Sequence, residues 1–168
     1  MSTILVTGAS SGLGAEMARQ FAALGHDLAL CARRTERLEE LRAELLAAHP
    51  GIRVAVRPLD VTDTGAVFDV FRDFHAELGS LDRVIVNAGL GKGQPLGTGR
   101  FDANLQTAQT NFIGALAQCE AALEIFRKAN AGHLGHPVHR RDRDWVDNFK
   151  EIDAEGVAGR NPTLLHGH

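Results

Sequence analysis

A glycine-rich turn is the first segment whose residue types and spacing are suited to chemistry. Thr7-Gly8-Ala9-Ser10-Ser11-Gly12-Leu13-Gly14 follows an apolar run and opens a stretch with helical periodicity. Glycine permits φ > 0 in a tight turn, and without a side chain it lets a phosphate approach the backbone. The start of a helix offers unpaired N–H groups and the positive end of the helix dipole to an anion. The position of this G-x-x-x-G-x-G pattern between a strand and a helix predicts a nucleotide site, with a plain strand-to-helix turn as the alternative.

Two arginines follow the second apolar run, in Cys31-Ala32-Arg33-Arg34. An acidic residue at this place usually binds the ribose 2′-hydroxyl of NAD, and this segment has none. Guanidinium groups suit a 2′-phosphate through bidentate, charge-assisted hydrogen bonds. The pair therefore favours NADP over NAD. The alternative is a solvated pair at a helix start, where positive charge matches the helix dipole poorly.

The elements that must position these residues alternate between strands and helices from residue 3 to about residue 129. Short apolar runs predict strands at Ile4–Val6, Leu28–Cys31, Val54–Val56 and Val84–Val86. Apolar stripes predict helices through Leu13/Met17/Phe21/Leu24, Leu38/Leu41/Leu45, Val67/Phe71/Phe74/Leu78 and Leu105/Phe112/Leu116/Cys119/Leu123/Phe126. Strands without polar alternation suit a sheet covered on both faces. The pattern predicts an α/β fold with a doubly wound parallel sheet.

The overall composition narrows the class of protein. The chain has 168 residues, of which 44% are hydrophobic and 23% charged, with a net charge of −3. These values predict an ordinary globular domain and give no support to a nucleic-acid partner or an anionic membrane. No apolar run reaches membrane-spanning length, and no signal peptide precedes the first strand. The two cysteines, Cys31 and Cys119, form no disulfide framework, which suits the cytoplasm.

Four motifs, in order, resemble the short-chain dehydrogenase/reductase (SDR) family. They are the glycine-rich turn, Asp60-Val61, Asn87-Ala88-Gly89, and Asn111 with Gly114. The resemblance covers residues 1 to about 134, which we interpret as an NADP-binding, Rossmann-like domain; residues 135–168 form an atypical tail. It implies a sheet with strand order 3-2-1-4 that is incomplete towards the C-terminus. It also implies an oxidoreductase that moves a hydride between NADP(H) and a small carbonyl or alcohol substrate.

The resemblance assigns a role to each motif residue. Gly8, Gly12 and Gly14 are implied to surround the pyrophosphate, and Ser10, Ser11 and Leu13 are implied to line the same turn. Those implied beside the adenine and the riboses are Asp60, Val61, Asn87, Ala88 and Gly89, with the Asp60 carboxylate on the adenine amino group. Asn111, within the fourth helix, is implied to hold a water in the proton relay.

The sequence departs from the family at the catalytic residues, because it contains no tyrosine. The family pattern places a serine near His139 and a Tyr-x-x-x-Lys near Ile152 and Gly156, and none of these positions matches. Phenylalanine and tryptophan cannot replace a phenol in proton transfer. We therefore expect the family's activity to be impaired in this chain. A non-catalytic dinucleotide-binding module and a non-functional fragment are the alternatives.

The pattern of elements breaks after Leu134. Ala131–Leu134 resembles the entry into a fifth strand, but Gly135–Arg140 are poor strand formers. Trp145, Phe149 and Ile152 predict one side of a short helix ending near Gly156, and no further strand is evident. A truncated, frame-shifted or rearranged C-terminal part is one interpretation, and a divergent tail is the other. Without the helix that normally follows, an apolar face of the fourth helix is left uncovered, which predicts self-association.

The histidines near the break, His133, His136 and His139, have a spacing that suggests zinc. Gly135 and Pro137 argue against the continuous helix that this spacing needs, so we expect no metal site.

Three further expectations concern local structure. We expect Asp63 or its neighbour Thr62 to be a helix N-cap. Cys31 and Cys119 are interpreted as small buried hydrophobic residues. Gly91–Gly99, with Lys92, is predicted to be a surface loop.

Overall fold

The structure is a computed structural model that describes residues 1–137 and the backbone of residues 149–153. The strands are β1 (Thr3–Thr7), β2 (Asp27–Ala32), β3 (Val54–Pro58), β4 (Arg83–Ile85), β5 (His133–Pro137) and β6 (Phe149–Asp153). The helices are α1 (Gly12–Ala23), α2 (Thr35–Ala48), α3 (Thr64–Leu78), α4 (Phe101–Ala108) and α5 (Ala115–Ala129). A π-helical turn, Gln109–Gly114, joins α4 to α5.

The described strands form one sheet in the order β3-β2-β1-β4-β5-β6. Strands β1 to β5 pair in parallel, and β6 pairs antiparallel with β5. The order changes direction between β1 and β4, which opens a crevice at the carboxyl ends of those strands. The predicted α/β fold and the order of the first four strands are confirmed.

Alternate residues of β1 enter two separate apolar cores. Ile4 and Val6 pack with residues of α1 and α2, whereas Leu5 packs on the other side with α3 and α5. This division follows from the two-residue period of a strand. Phe71 and Phe74 of α3 are fully buried in the second core, and each such side chain stabilises the fold by about 1.5–3 kcal/mol. Both faces of the sheet are therefore covered, as the unbroken apolar strands predict.

The local helix signals are confirmed at both ends of α3 but not at the end of α1. The Asp63 side chain accepts a hydrogen bond from Ala66 N, so it caps α3, and Gly79 ends that helix with φ +84°. Leu24 was predicted on the buried stripe of α1 but is 72% exposed. That prediction is wrong because Leu24 follows the last helical residue and the chain already turns there towards Gly25.

The predicted stripe of the fourth helix divides at the π-helical turn. Leu105, Phe112 and Leu116 are 44%, 69% and 52% exposed, whereas Phe126 is fully buried. A π turn holds more residues than an α turn, so it rotates the buried face relative to a regular 3.6-residue pattern. Small residues of α5, including Ala121, face the core instead. An apolar surface along α4 and the π turn is left exposed.

The C-terminal elements differ from the sequence-based expectation. Strand β5 continues past Leu134, the predicted limit of the family resemblance, to Pro137. The short helix predicted through Phe149 and Ile152 is wrong, because these residues lie in β6 and pair with β5. Pairing with β6 satisfies the backbone hydrogen-bonding groups at the edge of β5, and this outweighs the weak strand propensity of these residues. Pro137 is tolerated because it is the last residue of its strand. Positions His139, Trp145 and Gly156 lie outside the described residues.

Candidate dinucleotide-binding site

A cavity of about 570 Å³ lies at the carboxyl ends of β1, β2, β3 and β4. Its volume is within the range of small-molecule and cofactor sites. Every residue predicted for the site lines this cavity except Gly12 and Asn111. The lining residues are Gly8, Ser10, Ser11, Leu13, Gly14, Cys31, Ala32, Arg33, Arg34, Leu59, Asp60, Val61, Asn87, Ala88, Gly89, Leu90 and Thr110.

Two glycines of the turn after β1, Gly12 and Gly14, have different surroundings. Gly12 has φ +56°, and a Cβ built on it would meet nothing within 4 Å. This residue begins α1, so the helix N-terminus opens onto unfilled space. A Cβ on Gly14, in contrast, would lie 2.5 Å from the carbonyl oxygen of Gly8. Gly14 thus lets the helix pack tightly on the turn, whereas a side chain at Gly12 would meet open space.

The Thr7 hydroxyl joins the ends of the two central strands. Its Oγ1 donates to Ile85 O at 3.3 Å and accepts from Asn87 N and Ala88 N, each at 3.0 Å. The Asn87 side chain completes the connection by donating from Nδ2 to Thr7 O at 2.9 Å. Asn87 therefore lines the cavity with its amide nitrogen already bound, and this network fixes the position of Ala88 and Gly89.

Asn111 lies in the π-helical turn, beside the cavity-lining residue Thr110. Its Oδ1 accepts from Leu90 N at 2.7 Å, and its Nδ2 donates to Leu90 O at 2.9 Å. A Cβ on Gly89 would lie 3.6 Å from Asn111 Oδ1. The side chain of Asn111 thus anchors the segment that follows β4. Its side-chain amide donates one hydrogen bond and accepts one, as the backbone of a neighbouring residue in a sheet would.

Asp60 is held by a short local turn after β3. Its Oδ1 accepts from Thr62 N at 3.0 Å and from Thr62 Oγ1 at 2.8 Å. These hydrogen bonds, led by the one from the Thr62 backbone, lower the pKa of Asp60 despite an opposing effect of burial, and the nearby Arg33 lowers it further. The carboxylate is consequently ionised at neutral pH at the edge of the cavity.

The two arginines after β2 give the opposite side of the cavity its positive charge. The Nη2 of Arg34 donates to Ser11 Oγ at 2.6 Å, and so connects the loop after β2 with the turn after β1. Arg33 acts electrostatically on Asp60. Both side chains are exposed, and both line the cavity.

The chemistry of these groups fits a dinucleotide. The N-terminus of α1, where Ser11, Leu13 and Gly14 line the cavity, suits a pyrophosphate. The arginines lie near the end of β2, where an adenosine ribose is bound in folds of this class. Val61 and Leu59 add apolar surface near Asp60.

Some cavity residues were not identified from the sequence. Thr7 begins the glycine-rich motif but was given no role of its own; it does not line the cavity, and its hydroxyl fixes the cavity wall. Thr110 and Leu90 line the cavity, but no pattern in the sequence brings them together. Cys31 also lines it. This residue is buried as predicted, and burial raises the pKa of its thiol. Cys119 is only half-buried, and burial raises the pKa of that thiol also.

Two further features concern metals and membranes. Among residues 1–137, no group of three or more histidine, cysteine or acidic side chains is arranged to hold a metal ion. In the same part of the chain, no helix is long and apolar enough to span a bilayer.

The fold and the cavity define the class: a Rossmann-like α/β protein whose cavity lies where this class binds dinucleotides. Residues 2–134 match the family model described as short chain dehydrogenase. The chain belongs to that family.

Similar proteins agree with this assignment. An uncharacterized oxidoreductase of Mycobacterium tuberculosis is 58% identical over 131 residues, which are 78% of this chain and 52% of that protein. The alcohol dehydrogenase of the archaeon Thermococcus sibiricus, solved with 5-hydroxy-NADP, is 30% identical with a TM-score of 0.73, over 78% of this chain and 55% of that one. A xylitol dehydrogenase solved with NAD+ is 26% identical with a TM-score of 0.75, over 80% of this chain and 52% of that one. The chain spans about half the length of the curated relatives it matches.

Proposed function

We propose that this chain binds NADP(H) in the cavity at the carboxyl ends of β1 to β4. The observation that carries the proposal is the pair Arg33 and Arg34, which lines the cavity where an NAD-binding protein usually has a carboxylate. Arg34 also reaches the glycine-rich turn through Ser11. The site thus combines an anion-binding helix N-terminus with two guanidinium groups suited to a 2′-phosphate.

Each part of the cavity has a role in this proposal. The turn around Gly12 binds the pyrophosphate, and Asp60 accepts a hydrogen bond from the adenine amino group. Residues Asn87–Gly89 bound the riboses, in positions fixed by Thr7. Bound NADPH would supply a hydride to a small carbonyl substrate. Asn111 anchors the segment after β4 and thereby fixes one wall of the site.

Catalysis of the kind that the family resemblance implies uses the phenol of a tyrosine as its proton donor. There is no tyrosine in the sequence, and the last serine is Ser80, which lies near the amino ends of the strands beside Asp82. We therefore propose that this chain binds the cofactor but reduces carbonyl compounds poorly. A non-catalytic dinucleotide-binding module is the second candidate, and the same lack of a phenol favours it.

Cofactor titration tests the proposal directly. Calorimetry with NADPH and NADH is expected to show tighter binding of NADPH by the unaltered protein. Arg33→Ala is expected to weaken NADPH by about tenfold and NADH much less, because it removes a charge-assisted hydrogen bond to the phosphate. Equal weakening for both cofactors would contradict phosphate recognition.

Gly12→Asp is the control for the location of the site. It places a side chain and a negative charge in the space that the pyrophosphate needs, at a backbone φ of +56°. Binding of both cofactors is expected to be lost, while circular dichroism shows a folded protein. Turnover of a panel of aldehydes and ketones, compared with Gly12→Asp, then separates an enzyme from a binding module.

We also propose that the chain self-associates through the apolar surface formed by α4, the π turn and the first residues of α5. Leu105, Phe112, Ile113 and Leu116 are all at least 44% exposed there. Several exposed apolar side chains close together in the chain are typical of protein–protein contacts. Phe112→Asp is expected to lower the mass measured by light scattering. Leu24→Asp, at a separate exposed leucine on the opposite layer, is the matched control. A monomeric unaltered protein would contradict the proposal.

A cytoplasmic location is part of the proposal. The two cysteines are unpaired, and free thiols are typical of reducing compartments. Cell fractionation with an antibody against the chain tests it.

A further inference from the structure

The hydrogen bond between Arg34 and Ser11 joins two separate parts of the proposed site. Ser11 belongs to the glycine-rich turn before α1, whereas Arg34 precedes α2, and the two atoms, Arg34 Nη2 and Ser11 Oγ, are 2.6 Å apart. Both residues line the same cavity. The bond therefore connects the turn expected to hold the pyrophosphate with the segment expected to hold the 2′-phosphate.

The Ser11 hydroxyl is available for this contact because the helix does not use it. Ser11 is the N-cap residue of α1, a position where serine usually accepts a hydrogen bond from the first turn. Its backbone is extended there, with φ −171° and ψ 170°, and its side chain makes no capping bond. The hydroxyl instead accepts from the guanidinium of Arg34, and its own proton is left to donate elsewhere.

The geometry of a guanidinium makes such a contact useful. Arginine has five N–H donors in a rigid plane, and one bond to Ser11 leaves the others for a phosphate. A long side chain that is already held loses less conformational freedom when its ligand binds. Arg34 has no carboxylate partner among the described ion pairs. A neutral hydroxyl positions the charge without neutralising it.

We infer that Ser11 is a specificity-determining residue that positions Arg34 for the 2′-phosphate of NADP(H). This inference rests on the proposed NADP-binding function and extends it to a residue of the glycine-rich turn. Ser11 acts through Arg34, so its contribution is confined to cofactors that carry the 2′-phosphate. A residue that only supports the turn would affect NADPH and NADH alike.

The test is a double-mutant cycle measured with both cofactors. Ser11→Ala is expected to weaken NADPH by about fivefold and NADH by less than about twofold, the size of one hydrogen bond acting on one cofactor. Ser11→Thr keeps the hydroxyl and is expected to restore NADPH affinity. Arg34→Gln is expected to weaken NADPH more than Ser11→Ala does. Adding Ser11→Ala to Arg34→Gln is then expected to cause no further loss, because the two residues act as a unit.

Controls separate this inference from the proposed function. Arg37→Gln removes the same charge one turn further along α2, outside the cavity lining, and reports the effect of net charge alone. If the unaltered protein binds NADPH no more tightly than NADH, the proposed function fails. If it prefers NADPH, two results overturn only the role of Ser11: equal weakening of both cofactors by Ser11→Ala, or additive losses in the double variant. Tighter NADPH binding by Ser11→Ala would also overturn it, because Ser11 would then compete for Arg34.

Discussion

Strand β1 has a buried threonine at each end, and the two residues belong to very different surroundings. Thr3, at the amino end, donates from its backbone N to Asp82 Oδ2 at 2.7 Å, and its hydroxyl lies 3.2 Å from that of Ser80. Thr7, at the carboxyl end, binds three backbone groups of the segment from Ile85 to Ala88. Both are almost fully buried.

The difference extends to the whole of each edge. At the amino edge, polar side chains pair with one another, as in the bond of Arg53 to the buried carboxylate of Asp27. At the carboxyl edge, side chains such as Thr7 and Asn111 bind backbone and leave a cavity between the strand ends. Polar groups of the amino edge thus bind one another, whereas residues of the carboxyl edge line a cavity. The first should therefore affect stability alone, and the second both stability and binding.

Removing the Asp27 carboxylate from the amino edge is expected to have the largest effect on stability. Asp27→Ala leaves Arg53 N and its guanidinium without the carboxylate that now accepts from them at 2.6–2.9 Å. The expected loss in the free energy of unfolding is about 3 kcal/mol, measured by urea denaturation. Glu44→Ala removes the exposed ion pair with Arg19 and is expected to cost at most about 1 kcal/mol. NADPH affinity should not change in either variant, and a change would mean that the two edges are coupled.

The substitutions Thr7→Val and Thr3→Val compare the carboxyl end of β1 directly with its amino end. Thr7→Val leaves the backbone N–H groups of Asn87 and Ala88 without their acceptor, with an expected loss of about 2 kcal/mol. NADPH affinity should fall as well, since Asn87–Gly89 line the cavity. Thr3→Val keeps the backbone bond to Asp82 and is expected to cost about 0.5–1 kcal/mol with no effect on NADPH. Similar effects of both substitutions on binding would refute the contrast between the edges.

A smaller effect is expected at the cap of α3, which starts at the carboxyl edge but lies beyond the cavity lining. Asp63→Ala removes the acceptor for Ala66 N at 3.1 Å and is expected to cost about 1 kcal/mol. Asp69→Ala, an exposed carboxylate further along the same helix, serves as the control. Loss of NADPH binding by Asp63→Ala would show that the helix start does contribute to the site.

The smallest effect is expected on the stability of the protein at acidic pH, through the carboxylate of Asp60. Hydrogen bonds from Thr62 lower its pKa below the ordinary value of 3.8. A lowered pKa in the folded state stabilises the protein above the unfolded-state value, and this contribution is lost as the pH falls through the folded-state value. The difference in unfolding free energy between the unaltered protein and Asp60→Asn should thus be constant near neutral pH and decrease below about pH 4. Denaturation curves between pH 2 and about 7 measure it, and a constant difference throughout would contradict the role of ionisation.

The sequence determined the elements and most of the site because both depend on local patterns. Unbroken apolar runs such as Ile4–Val6 and the stripe through Phe71 and Phe74 require burial wherever they occur. The absence of a side chain at Gly12 can likewise be read without coordinates. Predictions from the sequence were wrong where contacts between distant segments determine the secondary structure. Phe149 and Ile152 have helical spacing, but they pair with β5 because its edge offers unsatisfied backbone groups.

Only the tertiary structure decided how the residues of the site are connected. Thr7 and Ala88 are far apart in the chain, and so are Ser11 and Arg34, yet each pair forms a hydrogen bond because parallel strands bring their carboxyl ends to one edge. Because of the π-helical turn, Phe112 faces outward and Asn111 forms hydrogen bonds with Leu90. Side-chain types are a property of the sequence. Which side chain is already bound, and which remains available to a ligand, depends on distances that only the folded chain fixes.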